Sequence, residues 1–254
     1  MSIWMENKDT VGTMWDTTRD YRLLIAQKAS DLFIRTVQGG SFRGRWNKKM
    51  ALDSVDAMNS DFHSLAYSYL DPEDLANSQK IANLEKKANL VIKYLGGDDW
   101  AHQFIDQTPK DEKEKAEEAI AKARFFINTI LGLKRRILFG PIADPIVAVD
   151  INVGEIMSVS KHPQSDTLMI CNVNLGKRAI KVVTNDLQVK EGNKVAISML
   201  PPETFMGIAS EGMFLGAGEG ILKDLDGELG SMPKGIPLEA LNESRNLIEN
   251  FLSK

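Results

Sequence analysis

Apolar positions recur every three or four residues along the first 140 residues and every second residue from about 147 onward. The first spacing marks one face of a helix, the second one face of a strand. Four helices are expected before Gly140. The first is capped at Thr17 or Thr18 and stopped by Gly39-Gly40. The second lines up Ala51, Val55, Met58, Phe62, Leu65 and Tyr69 on one face. Asp71-Pro72 opens the third, whose face is Ile81, Leu84, Ala88, Val91 and Leu95, and Gly96-Gly97 ends it. Thr108-Pro109 opens the fourth, which runs through Ala116, Ile120, Ala123, Ile127, Ile130 or Leu131, and Ile137 to Gly140-Pro141. At about 1.5 Å per residue that helix would span about 45 Å. Five short strands come next, around Val147–Val153, Met169–Leu175, Ile180–Thr184, Val195–Met199 and Met213–Leu215, with a bulge or bend expected at Gly154. A last helix is expected over Leu238–Leu252. The fold class is therefore α+β in two domains. An all-α helical bundle over 1–140 is joined through 142–145 to a five-stranded β-barrel of the OB type with a terminal helix, over 146–254.

The bulk numbers fit this picture. The 254 residues suffice for two ordinary domains, and 43% apolar with 26% charged residues is a globular balance. Apolar runs are too short for a membrane span, and the polar stretch Met1–Asp20 lacks the apolar core of an export signal. The single cysteine, Cys171, excludes an intrachain disulfide and suits the reducing cytoplasm; its place among alternating apolar residues makes it a small buried hydrophobe. Net charge is −4, and it is unevenly divided: residues 141–254 hold 10 Lys/Arg against 15 Asp/Glu, and residues 1–140 hold 21 against 20.

One ordered set of residues in the second half carries a resemblance. Val153-Gly154-Glu155-Ile156 is followed by Lys161-His162-Pro163-Gln164-Ser165-Asp166-Thr167-Leu168, then Cys171-Asn172-Val173-Asn174-Leu175-Gly176, Ile180 to Asn185, Gly192 to Val195, and Gly207-Ile208-Ala209-Ser210-Glu211-Gly212-Met213. In that order and spacing the segment resembles the tRNA-binding domain. That module is found at the C-terminus of bacterial methionyl-tRNA synthetases, in the phenylalanyl-tRNA synthetase β subunit and as free-standing tRNA-binding proteins. The resemblance runs from about 146 to about 220, and the tail Gly227–Pro237 resembles the segment after the module in the phenylalanyl enzyme. It implies an OB barrel that reads the shape of tRNA or another structured RNA, and a homodimer, as free-standing relatives often are. The first 140 residues carry no aminoacylation signature.

Under that resemblance Lys161 is expected to neutralise a phosphate and His162 either to meet RNA or to shape the His-Pro turn. Arg178 and Lys181 are phosphate candidates or solvated charge. Ser210, Glu211, Gly212 and Met213 form the family's Ser-x-Gly-Met signature, read as a close approach to RNA or as a turn into the last strand. Met206 stands where relatives often carry a cation. Since phosphate neutralisation drives RNA affinity, a barrel of net charge −5 needs its cations clustered. The helical half offers more: Arg43, Arg45, Lys48 and Lys49 flank Phe42 and Trp46, which either stack on a base or anchor the next helix. Lys134-Arg135-Arg136 sits where cations favour a helix terminus.

His63, His102 and His162 lie far apart, so neither a metal nor another cofactor is expected, and no nucleophile or phosphate-loop motif occurs. Gly216–Gly220 reads as a loop. The expected function is non-catalytic binding of tRNA or structured RNA. The alternatives are a dimeric protein-interaction or chaperone-like scaffold, favoured by the acidic barrel, and an accessory subunit of an aminoacyl-tRNA synthetase.

Overall fold

The computed structural model describes residues 15–254 apart from Glu219. The expectations for Met1–Met14, and the Glu219 part of the Gly216–Gly220 loop, fall outside the described residues. The chain divides into two compact units, one reaching Ala148 and the other Val149–Lys254.

The first unit is all helix: α1 Tyr21–Gln38, α2 Lys48–Asp56, α3 Asn59–Ala66, α4 Pro72–Ala76, α5 Gln79–Leu95, α6 Trp100–Gln107, α7 Lys113–Leu131 and α8 Leu133–Ile137. The apolar faces read from the sequence do form the core: Ala51, Val55, Met58, Phe62, Leu65, Ile81, Leu84, Ala88, Val91 and Leu95 are all buried. The first of the four expected helices is unbroken but starts later, and the other three are subdivided. Asp20, not Thr17 or Thr18, caps α1 by accepting from the Arg22 amide; Thr17–Arg19 is a separate 3-10 turn. The second helix stops at Asp56 and restarts at Asn59, where the Lys87 ammonium takes the Ala57 carbonyl at 2.5 Å. Tyr69 lies beyond α3 and is exposed, not on its apolar face. Asp71 and Pro72 cap and open a helix as read, but Ser78 caps a new one. The expected fourth helix breaks at Gly132, where the buried Arg136 side chain folds back to donate to the Thr129 carbonyl. Arg136 is thus a core residue, not a surface cation. The sequence reading missed α6, which buries Trp100, Ala101 and Phe104 between the Gly96-Gly97 stop and Thr108.

The end of the unit is fastened by one buried guanidinium. Arg22 and Asp20 pair at 2.7 Å with side chains 0% and 2% exposed. The Arg22 Nε and one Nη2 hydrogen face the two Asp20 oxygens; the remaining donors go to the carbonyls of Arg136, Ile137 and Gly140. Each of these carbonyls also accepts one backbone amide, from Phe139, Gly140 and Ile142 in turn, and the guanidinium fills its second acceptor site. A second buried acid, Asp61, accepts from Lys87 at 2.5 Å and lies 3.4 Å from Lys80. Burial pushes its carboxyl up, but the Lys87 and Asn83 hydrogen bonds and the Lys87 charge outweigh that and hold it below the ordinary value.

The second unit contains β1 Ile151–Lys161, β2 Met169–Asn174, β3 Ala179–Thr184, β4 Lys194–Ser198, β5 Glu203–Phe205, β6 Ile208–Ser210, β7 Met213–Phe214 and α9 Asn242–Ser253. The main sheet has the order β3-β2-β1-β4-β7, with antiparallel pairs throughout. Its first strand begins later than the alternation implied. Pro145–Ala148 is a 3-10 turn, started where the Asp144 carboxylate accepts from the Ile146 amide. β1 then serves two neighbours: Ile151–Glu155 pair with β4 and Glu155–Lys161 with β2, with a register shift between Ile156 and Ser158. That long shared strand curls the sheet. Gly154 permits the curl, because a Cβ there would come within 2.6 Å of both Ile197 and Val173. Ile156, Cys171, Val173, Ile180, Val182, Val195, Ile197 and Phe214 fill the interior. The β5–β6 hairpin, too short to register as alternation, was not expected. Among the described residues no helix is long and apolar enough to cross a membrane.

Two stability effects are expected from these buried charges. Arg22→Ala leaves the buried Asp20 carboxylate without its cation and takes one of two donors from each of three carbonyls, and should cost about 3–5 kcal/mol in urea unfolding followed by helical circular dichroism. Asp61 is held below its unfolded value of about 3.9, so its stabilisation is complete above that pH and is lost as pH falls through the folded value. The stability gap between wild type and Asp61→Asn should therefore narrow as pH drops from about 5 to about 2. A gap independent of pH would contradict the ion-pair assignment.

Candidate nucleic-acid interface

The turn between β1 and β2 places Lys161 and His162 in opposite environments. Lys161 ends the strand exposed, with no ion-pair partner among the described residues, whereas His162 is 3% exposed. Its Nδ1 accepts from the Gln164 amide at 3.1 Å, so the hydrogen sits on Nε2, which donates to the Phe205 carbonyl at 2.9 Å. The His162 amide in turn donates to Leu168 across the turn. The ring therefore ties the Lys161–Leu168 turn to the β5–β6 hairpin. Of the two readings of His162, the geometry supports the one in which it shapes the turn. The hairpin tip is Met206-Gly207, with φ of +44° and +88°, as a two-residue primed turn requires. Met206 stands exposed at that tip.

The signature Ser210-Glu211-Gly212-Met213 lies along the free edge of β3. The Val183 amide donates to the Ser210 hydroxyl at 3.0 Å, and that hydroxyl donates to the Gly212 carbonyl at 2.9 Å. The Glu211 amide donates to the Lys181 carbonyl at 2.9 Å. These bonds answer edge groups that the five-stranded ladder leaves open, and draw its two ends together. Gly212 is required by close packing: a Cβ would come within 2.7 Å of the Ser198 carbonyl oxygen and 2.9 Å of the Ile197 side chain. Met213 pairs with Ser198 in the ladder. Arg178, just before β3, donates to the Glu211 carboxylate at 3.1 Å; the two side chains are 31% and 9% exposed. Lys181 is half-buried opposite Asn172. Arg178, Lys181, Ser210 and Glu211 thus share one seam, which spacing alone did not reveal.

In the helical unit Phe42 and Trp46 belong to an aromatic box. Phe42 lies 4.9 Å from Phe104 and 5.6 Å from Trp46, and Trp46 meets Phe104 edge-on at 5.7 Å. The box anchors the segment before α2, and the Asn47 amide fixes it to the end of α5 by donating to the Tyr94 carbonyl. The four cations around it are not equivalent. Arg43 makes a two-pronged pair with Glu112 at 2.8 and 2.9 Å, and its hydrogen bonds hold the Glu112 carboxyl below the ordinary range. Lys49 pairs with Asp53 at 2.6 Å. Arg45 and Lys48 are exposed and have no ion-pair partner among the described residues. Glu112, Trp100 and Phe104 are separated from this segment by more than fifty positions, so nothing local in the sequence announced them.

Cys171 sits in the barrel core, where burial and then the Asp186 charge push its thiol up to about 11. Among the described residues no cluster of His, Cys, Asp and Glu could hold a metal ion. Ser210→Ala removes the acceptor for a buried amide and should destabilise the barrel by about 1–3 kcal/mol, read by thermal unfolding. Loss of RNA affinity with unchanged stability would instead mark Ser210 as a direct contact.

Comparison with known proteins respects the same division. Residues 14–140, half the chain, match the family described as "Alpha helical domain". Residues 151–239 match the family described as "Putative tRNA binding domain". A phenylalanine–tRNA ligase β subunit from Moorella thermoacetica is 40% identical over 76 residues, 26% of this chain and 9% of that protein. The same subunit from Acinetobacter baylyi is 34% identical over 122 residues, 43% of this chain and 15% of its own length. The "Putative tRNA-binding protein YtpR" of Bacillus subtilis is 31% identical over 88 residues, 31% of this chain and 44% of that protein. The chain thus spans less than half the length of each of these relatives. It belongs to the alpha helical domain family through its first half, and its 151–239 segment is a member of the tRNA-binding domain family.

Proposed function

We propose that this protein binds tRNA, or an RNA of similar folded shape, and performs no catalysis of its own. The observation that carries the reading is the tRNA-binding family match over 151–239. In this reading residues 146–254 are the shape-reading domain and residues 1–140 a helical domain that adds phosphate contacts. Lys161, Arg178 and Lys181 in the barrel, and Arg45 and Lys48 in the helical unit, meet phosphates. His162, Ser210, Glu211, Gly212 and Met213 hold the barrel in shape. Arg43, Lys49 and Arg178 contribute less, since Glu112, Asp53 and Glu211 already pair with them. The protein works in the cytoplasm as a homodimer and needs no cofactor.

The acid excess of residues 141–254, 15 against 10, favours a second reading: a dimeric protein-interaction or chaperone-like scaffold. Relatives named as phenylalanine–tRNA ligase β subunits favour a third, an accessory subunit of an aminoacyl-tRNA synthetase.

Binding of purified full-length protein to tRNA over a salt series tests the proposal. Each lost phosphate contact lowers the slope of log affinity against log salt by about 0.7–0.9. The double variant Arg45→Ala/Lys48→Ala should therefore flatten the slope by about 1.5, and Arg43→Ala/Lys49→Ala by clearly less. Absence of salt-dependent tRNA binding by the wild type would leave the scaffold reading standing. Sedimentation equilibrium checks the dimer, and amino-acid-dependent pyrophosphate exchange should stay at background.

A further inference from the structure

The loop between α3 and α4 presents two tyrosines to solvent. Tyr67 is 58% exposed and Tyr69 45%. His63, in the last turn of α3, lies against Tyr67 with ring centroids 4.8 Å apart and planes at 52°. Tyr69 holds φ at +51°, in the left-handed region where Gly or Asn is the low-cost residue and a bulky ring is an outlier. The loop backbone is held in place. The Thr17 hydroxyl donates to the Ala66 carbonyl at 2.7 Å and accepts from the Tyr69 amide at 3.4 Å, and Thr17 is fully buried. The 3-10 turn that carries Thr17 also carries Arg19, whose side chain is 89% exposed and only loosely paired with Asp16 at 3.9 Å.

We infer that His63, Tyr67 and Tyr69 form a stacking platform for an unpaired nucleobase of RNA, with Arg19 placed for the phosphate beside it. The inference rests on the proposed RNA-binding reading and adds a second recognition element, in the helical unit. Three features select this ligand. The exposed groups are rings, which stack on any base through its π face. The exposed Arg19 guanidinium belongs to the short turn whose Thr17 is hydrogen-bonded to this loop, and a guanidinium can meet a phosphate. Tyr69 keeps a left-handed backbone while its side chain stays open to solvent. Strain of this kind persists where the surrounding structure fixes it, and it collects at ligand sites.

The platform separates two properties that a structural role would keep together. Tyr69→Asn puts a residue suited to the left-handed region at position 69, so the melting temperature should be no lower than that of the wild type. Binding to an RNA hairpin with an unpaired adenosine loop should nevertheless weaken by about tenfold, while binding to a blunt duplex of the same stem stays unchanged. Tyr67→Ala should act in the same direction and Tyr67→Phe should retain binding, because stacking needs the ring and not the hydroxyl. None of the tyrosine variants should alter the salt slope, whereas Arg19→Ala should flatten it by about one contact. The platform is overturned if hairpin affinity is unchanged in both Tyr69→Asn and Tyr67→Ala, or if both RNAs lose affinity equally. It is equally overturned if the variants change the protein's sedimentation instead, which would make the loop a contact between copies. If the wild type binds neither RNA, the underlying RNA reading fails and the platform with it.

Discussion

Arg22 commits all five of its guanidinium hydrogens to acceptors inside the helical unit, and the end of that unit is organised around it. A buried guanidinium needs an acceptor for every hydrogen, and the chain leaving α8 supplies three carbonyls that each have a second acceptor site to offer. A lysine could not serve, since it offers three donors on one point, whereas the planar fork reaches an acid on one side and carbonyls on the other. Asp20 neutralises the charge and caps α1 in the same geometry, so the start of the first helix and the end of the last are set by one pair of side chains. The barrel meets the same constraint with smaller groups. Ser210 answers an edge amide, and His162 answers the Phe205 carbonyl.

This division of labour changes what the family signature means here. Ser210, Glu211, Gly212 and His162 are among the residues that make the resemblance recognisable, and in the structure each is engaged in holding strands or turns together. The signature therefore reports a barrel of a certain shape. Affinity for a polyanion would have to come from elsewhere, from exposed side chains such as Lys161, Arg45 and Lys48 and from the Arg178 guanidinium braced by Glu211. Under the proposed function an acidic domain and an RNA-binding shape are compatible, because a few exposed cations would supply the phosphate contacts.

The helical and strand periods were legible because burial on one face imposes them directly, and the buried faces of α2, α3, α5 and α7 are those the spacing picked out. Helix breaks were not legible, because the apolar spacing runs on through them: Lys87 reaches Ala57 from another helix, Ser78 caps α5, and Arg136 folds back on Thr129. Tyr69 continues the apolar spacing of the second helix yet falls outside it, since the chain has already turned at Tyr67. The α6 helix hid because it is eight residues long and sits between two stop signals. At the candidate interface the residue types were legible, but their states were not. Nothing local distinguishes Arg43, clamped by Glu112, from Arg45, which projects into solvent. Nor does a His-Pro dipeptide say that its ring will turn inward to meet a hairpin too short to be seen as alternation.

The placement of Cys171 gives the barrel an internal clock. The chain's one sulfhydryl lies in the centre of the fold, opposite Val182 across the β2–β3 ladder, with its thiolate form suppressed by the apolar surroundings. A sulfur-seeking reagent can reach it only when strands part, so labelling proceeds at the frequency of opening and not at the intrinsic speed of the thiol. An oxidant is kept from this sulfur in the closed barrel for the same reason. A ligand that clamps the strands lengthens the interval between openings, whichever surface it occupies.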